Sequence, residues 1–186
     1  TFNLILGATV VILPKFEAEP CQQVLSDERI TSTALVPTMV RRLCDLSDDV
    51  RRRYGTPELK MVVSSAAPLP PEVGRRFMDL YGPCLWNTYG ASELGLVTLA
   101  SPEDLRNHPG TVGRALPGND IHLVGEDGND VPEGGVGELY VGNETDEALA
   151  SPCQLFRNEG RGTFTERGVA AGVTNDRFAK CVVAGD

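Results

Sequence analysis

The sequence predicts an α/β fold, in which a layered arrangement of strands and helices is followed by a small antiparallel β unit. Over roughly the first 110 residues, apolar runs of strand length alternate with amphipathic segments of helical period, which is typical of a sheet covered by helices. After that point, short alternating runs are separated by glycine-rich turns, which indicates antiparallel strands. From residue 146 onward apolar residues follow neither the helical period nor the alternation of a strand, and the sequence predicts no regular element there.

The first half of the chain contains the signals for two strands and two helices. Residues 9–13 are apolar and β-branched and stop at a proline, so we expect a buried strand there. A helix is expected over residues 20–29, followed by a short strand over residues 33–36. Thr38 can cap the next helix, and the polar segment 47–57 closes this part of the chain.

A second strand and helix follow, and they lead into the most distinctive segment. Residues 59–63 read as a strand, and the next helix begins at Pro71 and ends at Gly82. Its predicted buried stripe consists of Val73, Phe77, Leu80 and Tyr81. Residues 84–87 are expected to form a strand that ends in a tight turn at residues 88–90.

The later part of the chain predicts a hairpin. Residues 121–124 and 136–141 alternate as strands do, and residues 126–129 have the composition of a turn. His108 and His122 are expected to be a loop residue and a strand residue without a ligand role. The three arginines at residues 51–53 are expected to form a solvated surface at a helix end.

Composition and charge limit the function classes. The chain has 186 residues, enough for one core, and 17 Lys and Arg against 26 Asp and Glu give a net charge of -9, which disfavours binding to nucleic acid or to an anionic membrane. We expect neither a secretory signal nor a transmembrane segment, because no apolar run approaches about 18 residues. The five cysteines are scattered, which predicts buried thiols in a reducing compartment, the cytoplasm, rather than disulfides or a zinc site.

Two predicted strand ends carry residues suited to a nucleotide. Ligands bind beyond the carboxyl ends of parallel strands, here after Val63 and after Asn87. The small Ala66 and Ala67 would let a flat ring lie against the backbone, and Tyr89 could cover its other face. Further on, Ser92 could donate to a phosphate and Glu93 could hold Mg²⁺. The residues alone leave open an ordinary turn followed by a helix start.

Five segments, in order, carry a family resemblance. Residues 87–93, Asn-Thr-Tyr-Gly-Ala-Ser-Glu, resemble the Tyr-Gly-x-Thr-Glu motif of the AMP-forming acyl-CoA synthetases and related adenylate-forming enzymes. Residues 64–69 resemble their Ser-Gly-Gly-Ala-Pro-Leu segment, residues 110–118 their Gly-x-Val-Gly-x-Pro-x-Pro-Gly, and residues 137–142 their Gly-Glu-Leu-x-Val-x-Gly. The leading stretch, residues 7–38, is also similar, and the fatty-acid ligases are the most similar members.

The resemblance implies roles for individual residues. The adenine pocket would be lined by Ala66, Ala67, Thr88, Tyr89 and Gly90. Ser92 stands where a threonine contacts the phosphate, and Glu93 stands where a carboxylate holds Mg²⁺, so these two would be the catalytic pair. The family uses ATP, Mg²⁺ and CoA to convert a carboxylic acid, here a fatty acid, first into an acyl-adenylate and then into acyl-CoA. The fold implied is part of the large adenylate-forming domain, with an α/β part over 1–110 and an antiparallel part over 111–145.

Two departures from the family pattern bear on competence. The family's glycine-, serine- and threonine-rich phosphate loop and its carboxy-terminal domain with the catalytic lysine have no counterpart in this sequence, so we expect this chain alone to be inactive. A non-catalytic remnant that binds adenine nucleotide weakly is the alternative. Residues 146–186 match nothing in the family, and we expect a divergent tail that is either disordered after a frame disruption or an insertion of a subfamily.

Overall fold

The computed structural model describes residues 7–91 and 94–143, together with the short strands at 156–158 and 164–166. Its helices are α1 (Ala18–Asp27), α2 (Pro37–Cys44), α3 (Asp48–Arg53), α4 (Pro71–Tyr81) and α5 (Pro102–Asn107). Its strands are β1 (Ser32–Leu35), β2 (Met61–Ser64), β3 (Leu85–Ala91), β4 (Gly95–Ala100), β5 (Arg114–Ala115), β6 (Asn119–Val124), β7 (Glu138–Asn143), β8 (Phe156–Asn158) and β9 (Phe164–Glu166). The predicted α/β class with a small antiparallel sheet is confirmed.

The strands form three sheets, and the chain divides into two compact units. The largest sheet has the strand order β1-β2-β3-β4-β5, while β6 pairs with β7 and β8 pairs with β9. The first unit comprises Thr1–Thr88 and Ala100–Gly113, and the second comprises Tyr89–Leu99 and Arg114–Asp186. The chain therefore leaves the first unit within β3 and returns to it at the end of β4.

Parallel pairing of β1, β2 and β3 organises the first unit. Leu35 lies opposite Ser64, and Ser64 lies opposite Asn87, so the last residues of β1 and β2 and the third residue of β3 stand side by side. Val62 in β2 and Leu85 in β3 are fully buried, as expected for a sheet covered by helices. Helices α2 and α4 contact each other in this unit.

Helix α4 has both predicted end signals. Pro71 is its first residue, and Gly82, with φ of 85°, follows its last. The buried face differs from the prediction in one residue, because Leu80 is 39% exposed whereas Met78 is buried. At about 100° per residue, Leu80 lies at the border of the stripe, beyond Val73.

The first predicted strand is wrong. Residues 8–13 form no strand, and Val10, Val11 and Ile12 are 43%, 38% and 81% exposed. The prediction used only the apolar, β-branched side chains of this segment. A strand also needs a neighbouring strand to pair with, and no strand in the described part of the chain pairs with these residues.

Two helix starts also correct the sequence prediction. Thr38 does not cap α2, since the helix begins at Pro37 and Val36 occupies the cap position. Within the polar segment 47–57 a further helix, α3, begins after Ser47, whose Oγ accepts a hydrogen bond from the backbone N–H of Val50 at 3.3 Å.

The arginine run is only partly a solvated surface. The Arg51 side chain is 16% exposed and donates to the backbone carbonyls of Cys44, at 3.2 Å, and of Leu46, and it pairs with Asp48. The prediction is therefore wrong for Arg51, which ties α3 to the end of α2. The exposed Arg52 agrees with it.

The three described cysteines are free and buried. Burial raises the pKa of Cys21 and of Cys84, and it raises the pKa of Cys44 to about 11. These thiols therefore stay protonated near neutral pH. Cys153 and Cys181 lie outside the described residues.

A buried polar network connects three helices of the first unit. Gln22 in α1 is fully buried, and its Nε2 donates to the backbone carbonyl of Tyr54 at 2.6 Å. Its Oε1 accepts from Tyr81 Oη at 2.9 Å, and the same hydroxyl lies 3.2 Å from the carbonyl of Leu43. Burial raises the pKa of Tyr81, so this hydroxyl remains a donor.

The predicted hairpin is confirmed in the second unit. β6 and β7 pair antiparallel with Ile121 opposite Val141 and His122 opposite Tyr140. Leu94, Val97 and Val141 form the buried cluster of this unit. In the predicted tail, β8 and β9 pair antiparallel, an element that the sequence analysis missed, and the rest of residues 146–186 lies outside the described part.

His122 is a strand residue as predicted, but carboxylates surround it. Its Nδ1 lies 3.1 Å from both oxygens of Asp130, and its Nε2 lies 3.4 Å from Asp120. The hydrogen bond to Asp130 is the main reason that the pKa of His122 is raised.

Among the described residues, no helix combines the length and the apolar character needed to cross a bilayer.

Replacing Gln22 tests the buried network. We expect Gln22→Met to lower the free energy of unfolding by about 1–3 kcal/mol, because the carbonyl of Tyr54 loses its donor while it stays inside the unit. Chemical denaturation followed by circular dichroism measures this. The matched control is Gln23→Met, because the side chain of Gln23 is exposed and donates to Asp27 in the same helix. An equal loss in both variants would contradict the network's role.

Titration of His122 tests the carboxylate cluster. We expect its pKa, followed by NMR of the imidazole, to lie above 6.5 and to fall in Asp130→Asn, with a smaller change in the control Asp127→Asn. Because the folded-state pKa is raised, this group's contribution to stability is complete below the unfolded pKa and is lost as the pH rises through the folded pKa. A pKa at or below 6.5 in the parent chain would refute the assignment.

Candidate functional site

The carboxyl ends of β1 and β2 and the third residue of β3 form one edge of the first unit. Their alignment follows from the register, in which Leu35, Ser64 and Asn87 stand at the same level. After Leu35 and Ser64 the chain leaves the sheet at this edge, whereas β3 continues to Ala91. Ligands bind beyond the carboxyl ends of the strands in open α/β sheets. The loop 65–70 after β2 and Thr88 in β3 therefore occupy neighbouring places.

Ala66 and Ala67 lie in an exposed loop after β2, and their role at an adenine ring stays a prediction. Ala66 has φ of 69°, and among the described non-glycine residues only Arg29 shares a positive φ. That conformation costs an alanine roughly 1–3 kcal/mol and is found at functional sites more than elsewhere. The similar family motif has glycine at this position, which would adopt the same backbone without strain.

Thr88 is buried, and so are two polar neighbours that the sequence analysis did not select. Asn87 is 2% exposed and donates from Nδ2 to the carbonyl of Thr111 at 2.8 Å. Ser64 is fully buried, and its Oγ finds no hydrogen-bond partner among the described residues. Both are polar residues at the end of an apolar run, and that position was the signal that could have identified them.

Tyr89 and Gly90 belong to the second unit, and they lie in a strand rather than in a turn. The predicted turn after Asn87 is wrong, because β3 continues to Ala91. The backbone N–H of Tyr89 donates to Thr98 Oγ1 at 3.3 Å, and its half-buried ring packs against the cluster of Leu94, Val97 and Val141. Strand pairing therefore fixes the backbone at these two positions.

Gly90 is required by the packing of the second unit itself. A Cβ added there would lie 2.2 Å from the carbonyl oxygen of Gly95 and 3.1 Å from Leu96 Cα, closer than a side chain allows. The glycine of this motif is thus explained by the neighbouring strand β4, independently of any nucleotide.

The two predicted catalytic residues, Ser92 and Glu93, lie outside the described residues. Their roles at the phosphate and at Mg²⁺ stay predictions. Within the described ranges, no group of three or more His, Cys, Asp or Glu side chains is arranged to hold a metal ion. The metal assignment therefore depends on Glu93 alone, and the fit of the described part to a nucleotide depends on the small loop at Ala66 and Ala67 and on the buried polar groups beside it.

Comparison with known proteins gives a consistent result. The model of the family described as AMP-binding enzyme matches residues 1–145. Indoleacetate–CoA ligase of Aromatoleum aromaticum is 33% identical over 138 residues, which are 73% of this chain and 26% of that protein. A long-chain-fatty-acid–CoA ligase of Yersinia pestis is 30% identical over 117 residues, covering 63% of this chain and 20% of that protein.

A solved structure extends the likeness to the fold. MatB of Rhodopseudomonas palustris with ATP bound superposes with a TM-score of 0.65 at 27% identity, over 76% of this chain and 27% of that one. The chain thus spans between a fifth and about a quarter of the length of these relatives. Because the family model matches residues 1–145, well over half of the chain, the chain belongs to the AMP-binding enzyme family.

Proposed function

We propose that this chain supplies the adenine-binding edge of an ATP-dependent CoA ligase. The observation that carries the proposal is the edge formed by the parallel strands, where the small residues Ala66 and Ala67 follow β2 and the buried Thr88 lies in the adjacent β3. A planar base needs a sterically open surface on one side, and this loop presents only small, exposed side chains at Ala66 and Ala67. The relatives named above are CoA ligases, which supports the same activity for the protein to which this chain belongs.

The proposed reaction has two steps. A carboxylate oxygen attacks the α-phosphorus of ATP, the bond to pyrophosphate breaks, and an acyl-adenylate forms. The thiolate of CoA then attacks the acyl carbonyl, and AMP leaves with the electron pair of the broken C–O bond. The role of the chain is to bind and orient the adenylate, because positioning accounts for much of the rate of such transfers.

Each predicted residue has a separate part in this proposal. Ala66, Ala67 and Gly90 leave room beside the base, and Tyr89 provides a ring for stacking. Ser92 would donate a hydrogen bond to a phosphate oxygen, and Glu93 would hold Mg²⁺, which neutralises charge on the phosphates. The proposal places the protein in the cytoplasm, where ATP and CoA are both available.

The carboxylic acid is proposed to be a fatty acid. Support comes from the motif resemblance and from the relative whose name specifies a long-chain fatty acid, while the other ligase compared above is named for indoleacetate. An apolar acyl chain would gain affinity in proportion to the area that it buries.

Nucleotide binding tests the proposed site. We expect calorimetry to show Mg-ATP binding weaker than about 1 μM, since only the base and metal contacts are predicted within this chain. Tyr89→Ala should weaken it roughly tenfold, because stacking on an aromatic ring contributes about 1–3 kcal/mol. Glu93→Gln should weaken binding of Mg-ATP but leave binding of AMP in EDTA unchanged.

Matched controls separate the site from general damage. Tyr54→Ala removes another half-buried tyrosine, and Glu103→Gln removes another acidic side chain, at the start of α5. Neither should change the affinity. Sub-micromolar binding, or binding indifferent to both Tyr89→Ala and Glu93→Gln, would contradict the proposal.

Stable analogues of the acyl-adenylate test the acid. We expect a dodecanoyl sulfamoyl-adenosine to bind more tightly than AMP and more tightly than the indoleacetyl analogue, because its chain buries more apolar area. Competition against a fluorescent AMP derivative measures the order. If the indoleacetyl analogue binds best, the fatty-acid assignment is wrong while the nucleotide site stands.

A further inference from the structure

Residues 108–113 form a hydrogen-bonded loop after α5, within the first unit. The backbone N–H of Thr111 donates to the carbonyl of His108 at 3.1 Å, and the N–H of Gly113 donates to Thr111 Oγ1 at 3.0 Å. These hydrogen bonds fix the conformation of the loop, so a displacement of one of its residues also displaces the others.

The loop contacts β3 through one buried bond. The carbonyl of Thr111 accepts from Asn87 Nδ2 at 2.8 Å. Asn87 is 2% exposed, so this hydrogen bond is made in a buried environment, where losing a partner is costly. Thr88, the next residue, belongs to the proposed adenine pocket, and the loop is therefore held one residue from it.

The same loop also contacts the start of α4. Gly110 has φ of 87°, and a Cβ built there would lie 3.3 Å from Pro71 Cγ and 3.9 Å from Pro71 Cδ. Pro71 is the first residue of α4 and directly follows the segment 65–70, which contains Ala66 and Ala67. Leu69 in that segment is buried, so the short stretch is anchored and cannot absorb a shift freely.

We propose that residues 108–113 are a positioning loop for the adenine pocket, with Gly110 as its positioning residue. The loop contacts β3 beside Thr88 and contacts α4 beside the loop of Ala66 and Ala67. It thereby sets the spacing between Thr88 and the loop of Ala66 and Ala67. Gly110 acts through Pro71 and does not touch the nucleotide. The inference rests on the proposed function, because the distance between Thr88 and the loop of Ala66 and Ala67 affects binding only if a nucleotide binds between them.

The physical reason is the close approach at Gly110. A methyl group at this residue would push the Pro71 ring by a few tenths of an ångström, and proline cannot rotate away as a flexible side chain would. A displacement of that size at the base of the loop 65–70 moves Ala66 and Ala67 relative to Thr88. Misplacement by about 1 Å can cost about 10²-fold in such sites, so a smaller effect of roughly tenfold is expected here.

The test compares two alanine substitutions with the same backbone strain. Gly110→Ala places a side chain at φ of 87°, and the control Gly128→Ala places one at φ of 78° in the second unit, where nothing lies within 4 Å of the added carbon. We expect Gly110→Ala to raise the Kd for AMP about tenfold and to shift the NMR methyl signals of Ala66 and Ala67. Gly128→Ala should do neither, although both lose some stability.

A second variant keeps the proposal open to refutation if Gly110→Ala folds poorly. Pro71→Ala removes the ring, so the double variant Gly110→Ala with Pro71→Ala should recover the affinity and the methyl signals more than the stability. Pro71→Ala alone should shift the Ala66 and Ala67 signals in the chain without ligand. Unchanged methyl signals in both Gly110→Ala and Pro71→Ala would overturn the proposal.

The outcomes also separate this inference from the proposed function. If the parent chain binds no AMP or ATP but the methyl signals respond as expected, the proposed function fails. The effect of Gly110, through Pro71, on the position of Ala66 and Ala67 still holds. If the parent chain binds AMP and Gly110→Ala binds it equally well, the positioning role fails while the proposed function stands.

Discussion

The register of three parallel strands is the constraint on which the rest of the described structure depends. Because Leu35, Ser64 and Asn87 stand at one level, the chain leaves the sheet after β1 and β2 at one edge, beside the middle of β3. A slip by one residue would turn every side chain of a strand to the opposite face and bury the wrong set. Val62 and Leu85 have no exposed surface, so the burial of the core and the alignment of the edge are consequences of the same pairing.

The chemistry of that edge then follows from where backbone strain and polar groups are tolerated. Ser64, the last residue of β2, has a hydroxyl without a partner among the described residues, and Ala66, two residues further on, has a positive φ. A sheet optimised only for stability would have glycine in place of Ala66 and an apolar residue in place of Ser64. Their combination at the carboxyl end of a parallel strand is the pattern expected where function has displaced stability.

Sequence patterns predicted those elements whose signals are local. Helix α4 was predictable because Pro71 and Gly82 mark its ends, and the hairpin because turn residues separate two alternating strands. β4 and α5 were missed, although the pair Ser101 and Asp104 forms a capping box that the sequence spells out. Residues 9–13 failed for a different reason, since strand formation depends on a partner elsewhere in the chain and no local pattern reports it.

The same distinction applies to the candidate site. Sequence motifs were enough to name the candidate residues Ala66, Ala67, Thr88, Tyr89 and Gly90. The motifs could not show which contacts fix the position of each residue. Gly90 illustrates the difference, because its motif suggests a nucleotide while the structure shows the carbonyl of Gly95 where a Cβ would lie. A residue can therefore carry a family signature for a reason of packing. Packing accounts for the glycine at position 90, whereas it offers no explanation for the backbone strain at the exposed Ala66.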